Sequence, residues 1–426
     1  MQRKYFTMKF RLLFSVSLFW TTHVFAQTDT LHLSLQQAEK MFLDNNLSLL
    51  ASKYNIDAST ALIKQAKLWD NPLLLTDQNL YDGKFFSHSK TASTETSGQV
   101  YVQVQELLRT AGKIKKLTAL ATTNSQISEL QFEQVMHNLR YSLRSDLYQT
   151  NQLFFSIQLY EKENEQLKKL LTAMNAQLQA GNISQKDFLR IQALQISGLQ
   201  DEAEYKKQLA DVQSELRTLL NVQGNTFIIA EQPGEKVNVP ILIDSLITSA
   251  KVNNPDYLLE KANLLYSQNN LKYQQALRSP DVTVGIEYDK ANSYVPNYYG
   301  LTVALPLPII NRNQGNIASA GFTVKQEQTL VSEREFRLTN DIQNALNKLQ
   351  LNFDLQKNVD ADFVRKYDVL MKNAFSAYQQ RQMNLLDFLD LFSAYKDTQL
   401  KYLQQQYNLQ KAKEDLNLLI GKDVIN

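Results

Sequence analysis

Asp281-Val282-Thr283-Val284-Gly285-Ile286-Glu287-Tyr288 follows directly on Pro280 and changes the period of the chain from 3.6 to 2. Val282, Val284, Ile286 and Tyr288 fall on one face, with Thr283, Gly285 and Glu287 on the other. A second alternating stretch, Leu301-Thr302-Val303-Ala304-Leu305, comes after Gly300. The first half carries the same pair: Leu73 to Tyr81, then Val100, Val102 and Val104 alternating with Tyr101, Gln103 and Gln105. Such segments approach the ~9–11 residues that cross a bilayer at a tilt. Four strands cannot close a barrel, and open strand edges are forbidden in lipid, so a membrane reading demands that several chains pool their strands. The intervening loops, Asp82 to Ser97 and Lys290 to Tyr299, are rich in Ser, Thr, Asn, Lys and Tyr, as external loops would be. Amphipathic hairpins also occur in soluble proteins, so the rest of the chain must decide.

The strand pairs sit inside a repeat. Adding 208 to Asn45, Asn46, Leu50, Lys53, Asn55, Ser59 and Pro72 gives Asn253, Asn254, Leu258, Lys261, Asn263, Ser267 and Pro280. Adding 200 to Asp187, Phe188, Leu189, Leu209, Leu216 and Leu219 gives Asp387, Phe388, Leu389, Leu409, Leu416 and Leu419. Two halves of similar length share one plan. The expected organisation is a signal peptide at 1–26, a first repeat at 27–224, an inter-repeat linker at 225–240 and a second repeat at 241–426.

The N-terminus reads as a signal peptide. Arg3, Lys4, Lys9 and Arg11 precede the apolar run Leu12 to Trp20, and Val24-Phe25-Ala26 offers small residues where a signal peptidase cuts. The run is short for a membrane-spanning helix, and an uncleaved anchor is the alternative. Removing residues 1–26 leaves 41 basic residues against 43 acidic ones, which gives no electrostatic case for nucleic acid. The 426 residues contain no Cys, which removes disulfides, thiolate metal sites and N-terminal Cys lipidation. An exported chain of this kind is left with the periplasm, the outer membrane or the exterior.

Between Gly112 and Gly181, and again between Gly321 and Gly421, there is no Gly or Pro. The residues Lys113 to Ala180 would span roughly 100 Å as one helix. Apolar side chains recur at three- and four-residue steps, as in Leu147, Leu153, Phe154, Ile157, Tyr160 and Leu167. Leu338, Ile342, Leu346, Leu349, Phe353 and Leu355 repeat the pattern. Helices of this length must bury their stripes on other helices, as in coiled coils. Alone they would suit a soluble bundle or a fibrous coiled coil; the strands argue otherwise.

The order helix, strand, strand, long helix, broken helix, given twice, resembles the TolC-like outer-membrane efflux proteins over essentially all of the mature chain. Ala250 with Asn253-Asn254-Pro255 is similar to that family's Ala-Leu-x-x-Asn-Pro signature, while the first half has Leu47 where Pro255 stands. Leu305-Pro306-Leu307-Pro308-Ile309-Ile310-Asn311-Arg312-Asn313-Gln314-Gly315 resembles its strand-to-helix corner, in the form of the cobalt-zinc-cadmium and copper-silver resistance branch. Gln105-Glu106-Leu107-Leu108 with Gly112-Lys113 is the first-half counterpart. Pro306 and Pro308 end a strand, and Gly112 and Gly315 are expected to permit the turn into the helix.

The resemblance implies a mixed α/β membrane protein. It would be a homotrimer in the outer-membrane lipid, with a 12-stranded β-barrel continued by a long helical barrel through the periplasm. It also implies two partners: a periplasmic membrane-fusion adaptor and an inner-membrane transporter of the RND class. The linker would join an equatorial belt. The implied function is the outer-membrane channel of an RND efflux pump, exporting small solutes, heavy-metal cations first among them. A conduit of the same fold for hydrophobic drugs or secreted polypeptides is the near alternative, and a structural coiled-coil envelope protein the remote one.

No enzymatic chemistry is expected. His23, His32, His88 and His137 have no metal-ligand spacing, and there is no phosphate loop, HExxH or nucleophile elbow. No cofactor or resident metal is implied. Glu161, Glu163 and Glu165 read as a solvated helix face. The candidate residues lie at the two helix breaks. Gly181, Asn182, Ser184 and Asp187 form one tip; Arg381 and Asn384 belong to the other, with Arg381 standing where the family usually has Gly. These six are the expected adaptor contacts. Asp387 and Asp390 match positions where family members place a ring of carboxylates, and Tyr378 is the third candidate gate residue. Ordinary surface Asp residues near a helix N-terminus, and a packing Tyr, are the competing readings.

Overall fold

The computed structural model describes residues 30–81, 85–86, 99–231, 242–292, 295–358 and 361–425. The expected signal peptide, nearly all of the Asp82 to Ser97 loop and the second part of the linker lie outside these residues. In the first repeat, β1 (Thr30–Leu33), α1 (Leu35–Asn45) and α2 (Leu47–Ala66) lead to β2 (Leu73–Gln78) and β3 (Val100–Leu108). Then α3 (Lys113–Gln179) runs for 67 residues to a turn, and α4 (Gln185–Leu220) returns to β4 (Phe227–Ala230). The second repeat follows with α5 (Ile243–Asn253), α6 (Pro255–Leu277), β5 (Val282–Asp289) and β6 (Tyr298–Ala304). It closes with α7 (Gln314–Asn358), α8 (Ala361–Gln379) and α9 (Leu385–Ile420). Among the described residues no helix is long and apolar enough to cross a membrane.

The four expected strands form one antiparallel sheet in the order β2-β3-β5-β6. Its register aligns Leu74, Val104, Ile286 and Leu301 in one row, all of them exposed. The neighbouring row on that face runs through Thr76, Val102, Tyr288 and Tyr299. The opposite face carries Leu73, Leu75 and Leu107 together with a set of cross-strand polar contacts. Gln103 Nε2 donates to Thr302 Oγ1 at 2.8 Å, Tyr101 Oη donates to Glu287 at 2.8 Å, and Gln99 Nε2 donates to Asp289 at 2.9 Å. Among the described residues both outer strands, β2 and β6, keep an unpaired edge.

The helices pack as the repeat requires. α3 lies against α2, α4, α6 and α9, and α7 lies against α6 and α9. Phe42, Leu143, Leu147, Leu216 and Leu220 centre the first repeat's core. Leu338, Ile342, Leu349, Leu409 and Leu416 centre the second's. The expected stripe on α7 holds to Phe353, but Leu355 is 51% exposed. It follows Phe353 by two residues, about 200° around the helix, and so leaves the stripe.

The Asn pair explains the joint between α1 and α2 and between α5 and α6. Asn46 Oδ1 accepts from Leu49 N at 3.0 Å while its Nδ2 donates to Leu219 O at 2.9 Å. Asn254 does the same with Tyr257 N at 2.8 Å and Leu419 O at 2.9 Å. Each amide thus starts one helix and satisfies a carbonyl at the end of another. Pro255 takes the first position of α6, where no backbone donor is needed.

The sequence reading missed one pairing. β1 and β4 run parallel, Thr30 opposite Phe227, and bring the first part of the linker back onto the start of the chain. Gln213 from α4 closes it, accepting from Ile228 N and donating to Ile228 O, both at 2.7 Å. Beside it, an ionic cluster fastens the start of the first repeat to the end of the second. Arg144 on α3 pairs with Glu39 on α1, Glu414 on α9 and Asp423, and Arg140 pairs with Glu39 and Asp423.

Asp146, one residue pair further along α3, is buried, with Oδ2 lacking a hydrogen-bond partner among the described residues. Burial, then the nearby Glu215, pushes its carboxyl from 3.8 up to about 7. The folded chain therefore holds this proton more tightly than the unfolded one. The stability it confers is complete below pH 3.8 and is lost as pH rises through about 7. Asp146→Asn should raise thermal stability at pH 8 more than at pH 5 and flatten the pH dependence between them. Unfolding of the purified protein in detergent at the two pH values measures this.

Candidate functional site

The two helix breaks fold alike although one lacks glycine. At the first, Gly181 takes φ +70°, its N–H donates to Leu178 O at 3.0 Å, and Asn182 N donates to Gln177 O at 2.8 Å. At the second, Arg381 takes φ +58°, its N–H donates to Tyr378 O at 3.0 Å, and Gln382 N donates to Ala377 O at 2.8 Å. This is the αL helix end with a reversed hydrogen bond, for which glycine is the usual choice. A non-glycine residue there costs on the order of 1–2 kcal/mol. Arg381 gains a contact in return: its guanidinium donates to Gln177 Oε1 at 2.6 Å, across the gap between the two tips. The same oxygen accepts from Asn182 Nδ2 at 2.9 Å.

Each returning helix is capped. Ser184 Oγ accepts from Asp187 N at 3.1 Å, starting α4. Asn384 Oδ1 accepts from Asp387 N at 2.9 Å, starting α9, and Asn384 Nδ2 donates to the Asp387 carboxylate at 2.7 Å. Asp187 and Asp387 thus occupy the third helical position, where a negative charge opposes the helix dipole. Asp390 is exposed one turn on, and its charge raises the phenol pKa of Tyr367 on α8, after the larger effect of burial. Positions 387 and 390 share a helix face.

Tyr378 stacks on Phe388, with ring centroids 4.9 Å apart and an interplanar angle of 20°. It packs on a tip cluster containing Phe375, Phe388, Phe392, Ile191 and Met371. Burial, then the charge of Asp187, raises its phenol pKa. Tyr378 therefore joins elements from both tips: its own ring closes over α9, and Asp187 faces it from α4.

The structure corrects two readings. Gly315 does not make the turn into α7; it lies within the first turn of that helix. The left-handed residue is Asn313, at φ +58°, whose Nδ2 donates to Gln274 O at 2.8 Å and whose carbonyl accepts from Ile317 N. In the first repeat Gly112, at φ +67°, and Ala111, at φ +53°, make the turn as a pair. Pro306 and Pro308 follow the end of β6, as expected. Second, Glu161 and Glu165 are exposed, but Glu163 is buried between them. It lies on the stripe of Tyr160, Leu167 and Leu170 and not on the solvated face.

Comparison with known proteins agrees with this architecture. Residues 40–222 match the model of the outer membrane efflux protein family. The chain is 20% identical over 392 residues to the cobalt-zinc-cadmium resistance protein CzcC of Cupriavidus metallidurans, covering 92% of this chain and 90% of that one. Among solved structures it is similar to CusC, with a TM-score of 0.73, 17% identity and coverage of 93% and 94%. It is also similar to the outer membrane protein VceC of Vibrio cholerae, with a TM-score of 0.69, 15% identity and coverage of 91% and 96%. The fold is that of these outer-membrane channels, and residues 40–222 carry the likeness in sequence to the efflux family.

The tip geometry yields a prediction about Arg381. Arg381→Gly should keep the turn, leaving the amides of Arg381 and Gln382 protected, while exchange at residues 177–182 quickens as the link to Gln177 goes. Arg381→Ile, β-branched in a left-handed position, should open the turn and speed exchange at 380–384 about tenfold or more, the factor that ~1.4 kcal/mol supplies. Hydrogen exchange read by mass spectrometry distinguishes the two.

Proposed function

We propose that this TolC-like chain is the outer-membrane channel of an RND-type efflux pump, working as a homotrimer and exporting heavy-metal cations. The observation that carries the reading is the sheet. One face exposes a continuous apolar row, the other carries the cross-strand polar hydrogen bonds beside a few Leu, and both edges are open among the described residues. That is the pattern of a lipid-facing barrel wall with a wet interior. Edges without partners are not tolerated in lipid, and water-soluble sheets do not expose a row such as Leu74, Val104, Ile286 and Leu301. Three copies pairing β6 of one with β2 of the next give twelve strands and no edge. Export of metal cations is supported by the likeness to a cobalt-zinc-cadmium resistance protein. The chain acts as a conduit and not as an enzyme.

In this reading the long helices extend into the periplasm and their tips meet the adaptor. Gly181, Asn182, Ser184, Asp187, Arg381 and Asn384 form that contact. Asp387 and Asp390 bring up to six carboxylates around the narrow end, and Tyr378 packs behind them. Like charges in a confined opening add their fields, attracting cations and repelling anions.

Two measurements test this. The purified protein should run as a heat-resistant trimer from outer-membrane fractions, and its deletion should sensitise cells to at least one divalent or monovalent heavy metal. A monomer in the periplasmic fraction, or unchanged metal tolerance in a strain without redundant channels, overturns the respective half of the reading. In planar bilayers, millimolar trivalent cations added from the periplasmic side should block the channel. Asp387→Asn with Asp390→Asn should relieve that block sharply while changing single-channel conductance less; unchanged block places these side chains away from the pore.

A further inference from the structure

A cavity of about 470 Å³ opens between α3, α8 and α9 on the tip side of the helical region, within one chain. Glu163, Asp368, Phe375, Tyr395, Met371 and Val369 line it. Its volume falls in the range of small-molecule sites, roughly 300–1,000 Å³. Nothing in the channel reading requires it.

The cavity holds an unusual charge. Glu163 is 5% exposed, and its Oε1 has no hydrogen-bond partner among the described residues. A buried carboxylate without a partner is expensive, and the neighbourhood does not relieve it. Lys396 acts on it only from a distance, being engaged with Asp201 at 3.7 Å and with the ring of Tyr160 at 5.8 Å. Lys162 and Lys372 also border the cavity, but both are exposed to solvent. Burial, partly offset by Lys396 and then Lys162, pushes the Glu163 carboxyl up to about 8. Without an occupant it is held mostly protonated at neutral pH.

Asp368 supplies the second acid. Its Oδ1 accepts from the Tyr395 hydroxyl and from Gln399 Nε2, at 3.1 Å for the latter. That network fixes the Asp368 carboxylate and the Tyr395 ring on the cavity wall. Phe375 is held edge-on to Phe388 and Phe392 at 5.1 and 6.0 Å. The cavity wall therefore combines the Glu163 carboxyl group, a fixed carboxylate and two immobilised aromatic rings.

We propose that this cavity binds a small organic monocation, an ammonium group on an apolar body, with the ammonium at Glu163 and the body against Phe375 and Tyr395. The donor set favours that occupant over a metal ion. Among the described residues no His, Cys or third carboxylate completes a metal-ligating group here, and aromatic faces attract ammonium rather than a hydrated metal. Such an occupant would tie α8 to α3 above the tip, where they otherwise touch little. The site lies within each chain and does not depend on what the channel exports.

Phenethylamine tests it, with phenethyl alcohol as its uncharged counterpart. Calorimetric titration of the detergent-solubilised protein should show one phenethylamine per chain. Phenethyl alcohol should bind at least tenfold more weakly. Glu163→Gln, which keeps the shape and removes the carboxyl whose ionised form would hold an ammonium, should weaken phenethylamine at least tenfold and leave phenethyl alcohol unchanged. Phe375→Leu should weaken both. Heat-resistant trimer content confirms that each variant is folded. No phenethylamine binding at millimolar concentration, equal binding by Glu163→Gln, or stoichiometric Zn²⁺ binding at Glu163 in place of the amine each overturns the proposal. None of these outcomes bears on whether the protein is a channel.

Discussion

The unpaired edges of one four-stranded sheet constrain everything else in this chain. Every backbone N–H and C=O on the outer sides of β2 and β6 needs a partner. A single chain of this topology has no way to close its own sheet, because each repeat contributes only two strands before it turns back into helix. A closed barrel built on this sheet therefore needs strands from more than one chain. The long helices inherit the same geometry: α3 and α7 leave the sheet from β3 and β6, so whatever symmetry closes the strands also sets the spacing of the helices.

The duplication shows which local chemistry is indispensable and which is replaceable. Asn46 and Asn254 keep the same two hydrogen bonds in both repeats, because one amide side chain must cap one helix and satisfy the end of another. An ionised Asp cannot donate, and a shorter Ser would have to reach both partners from a single oxygen. Elsewhere a backbone shape is preserved while its residue changes. Gly112 and Asn313 both take left-handed φ before a long helix, and Gly181 and Arg381 both do so after one. Asn is the least costly replacement for Gly in that region, which makes the first exchange unsurprising. Arg is not, and its guanidinium reaches Gln177, a contact that Gly cannot make.

The large features were legible because they rest on period and repetition. Alternation from Val282 to Tyr288 and from Val100 to Gln105 marked the strands, and constant offsets revealed the two halves. What escaped has physical reasons. β1 and β4 are four residues long, too short for alternation to register, and their pairing joins positions almost 200 residues apart. Gly315 drew the turn assignment because glycine is the usual signal, while Asn313 carried the conformation. Glu163 was grouped with Glu161 and Glu165 by sequence adjacency. Helical spacing from Tyr160 to Glu163 to Leu167 places it on the buried stripe, and that signal was available in the sequence. The tip residues Gly181, Ser184, Asp187, Arg381, Asn384 and Asp387 were correctly located at the turns. Which of them face a lumen depends on neighbouring chains, and no single sequence encodes that in a readable way.

Stability is distributed unevenly along the helices, and the distribution bears on where the assembly can move. Near the ends of the two repeats, Arg144 joins α1, α3, α9 and the residues after it through Glu39, Glu414 and Asp423, with the Asn46 and Asn254 joints close in sequence to the same elements. Breaking that cluster strands buried charge, which is strongly unfavourable. Toward the tips, the contacts between the two helical hairpins include the buried cluster around Phe388, the Lys396–Asp201 pair and the exposed hydrogen bond from Arg381 to Gln177. Exposed hydrogen bonds compete with water and contribute little. Local opening draws first on exposed, weakly buried contacts, so the link from Arg381 to Gln177 is lost before the buried aromatic cluster beneath it.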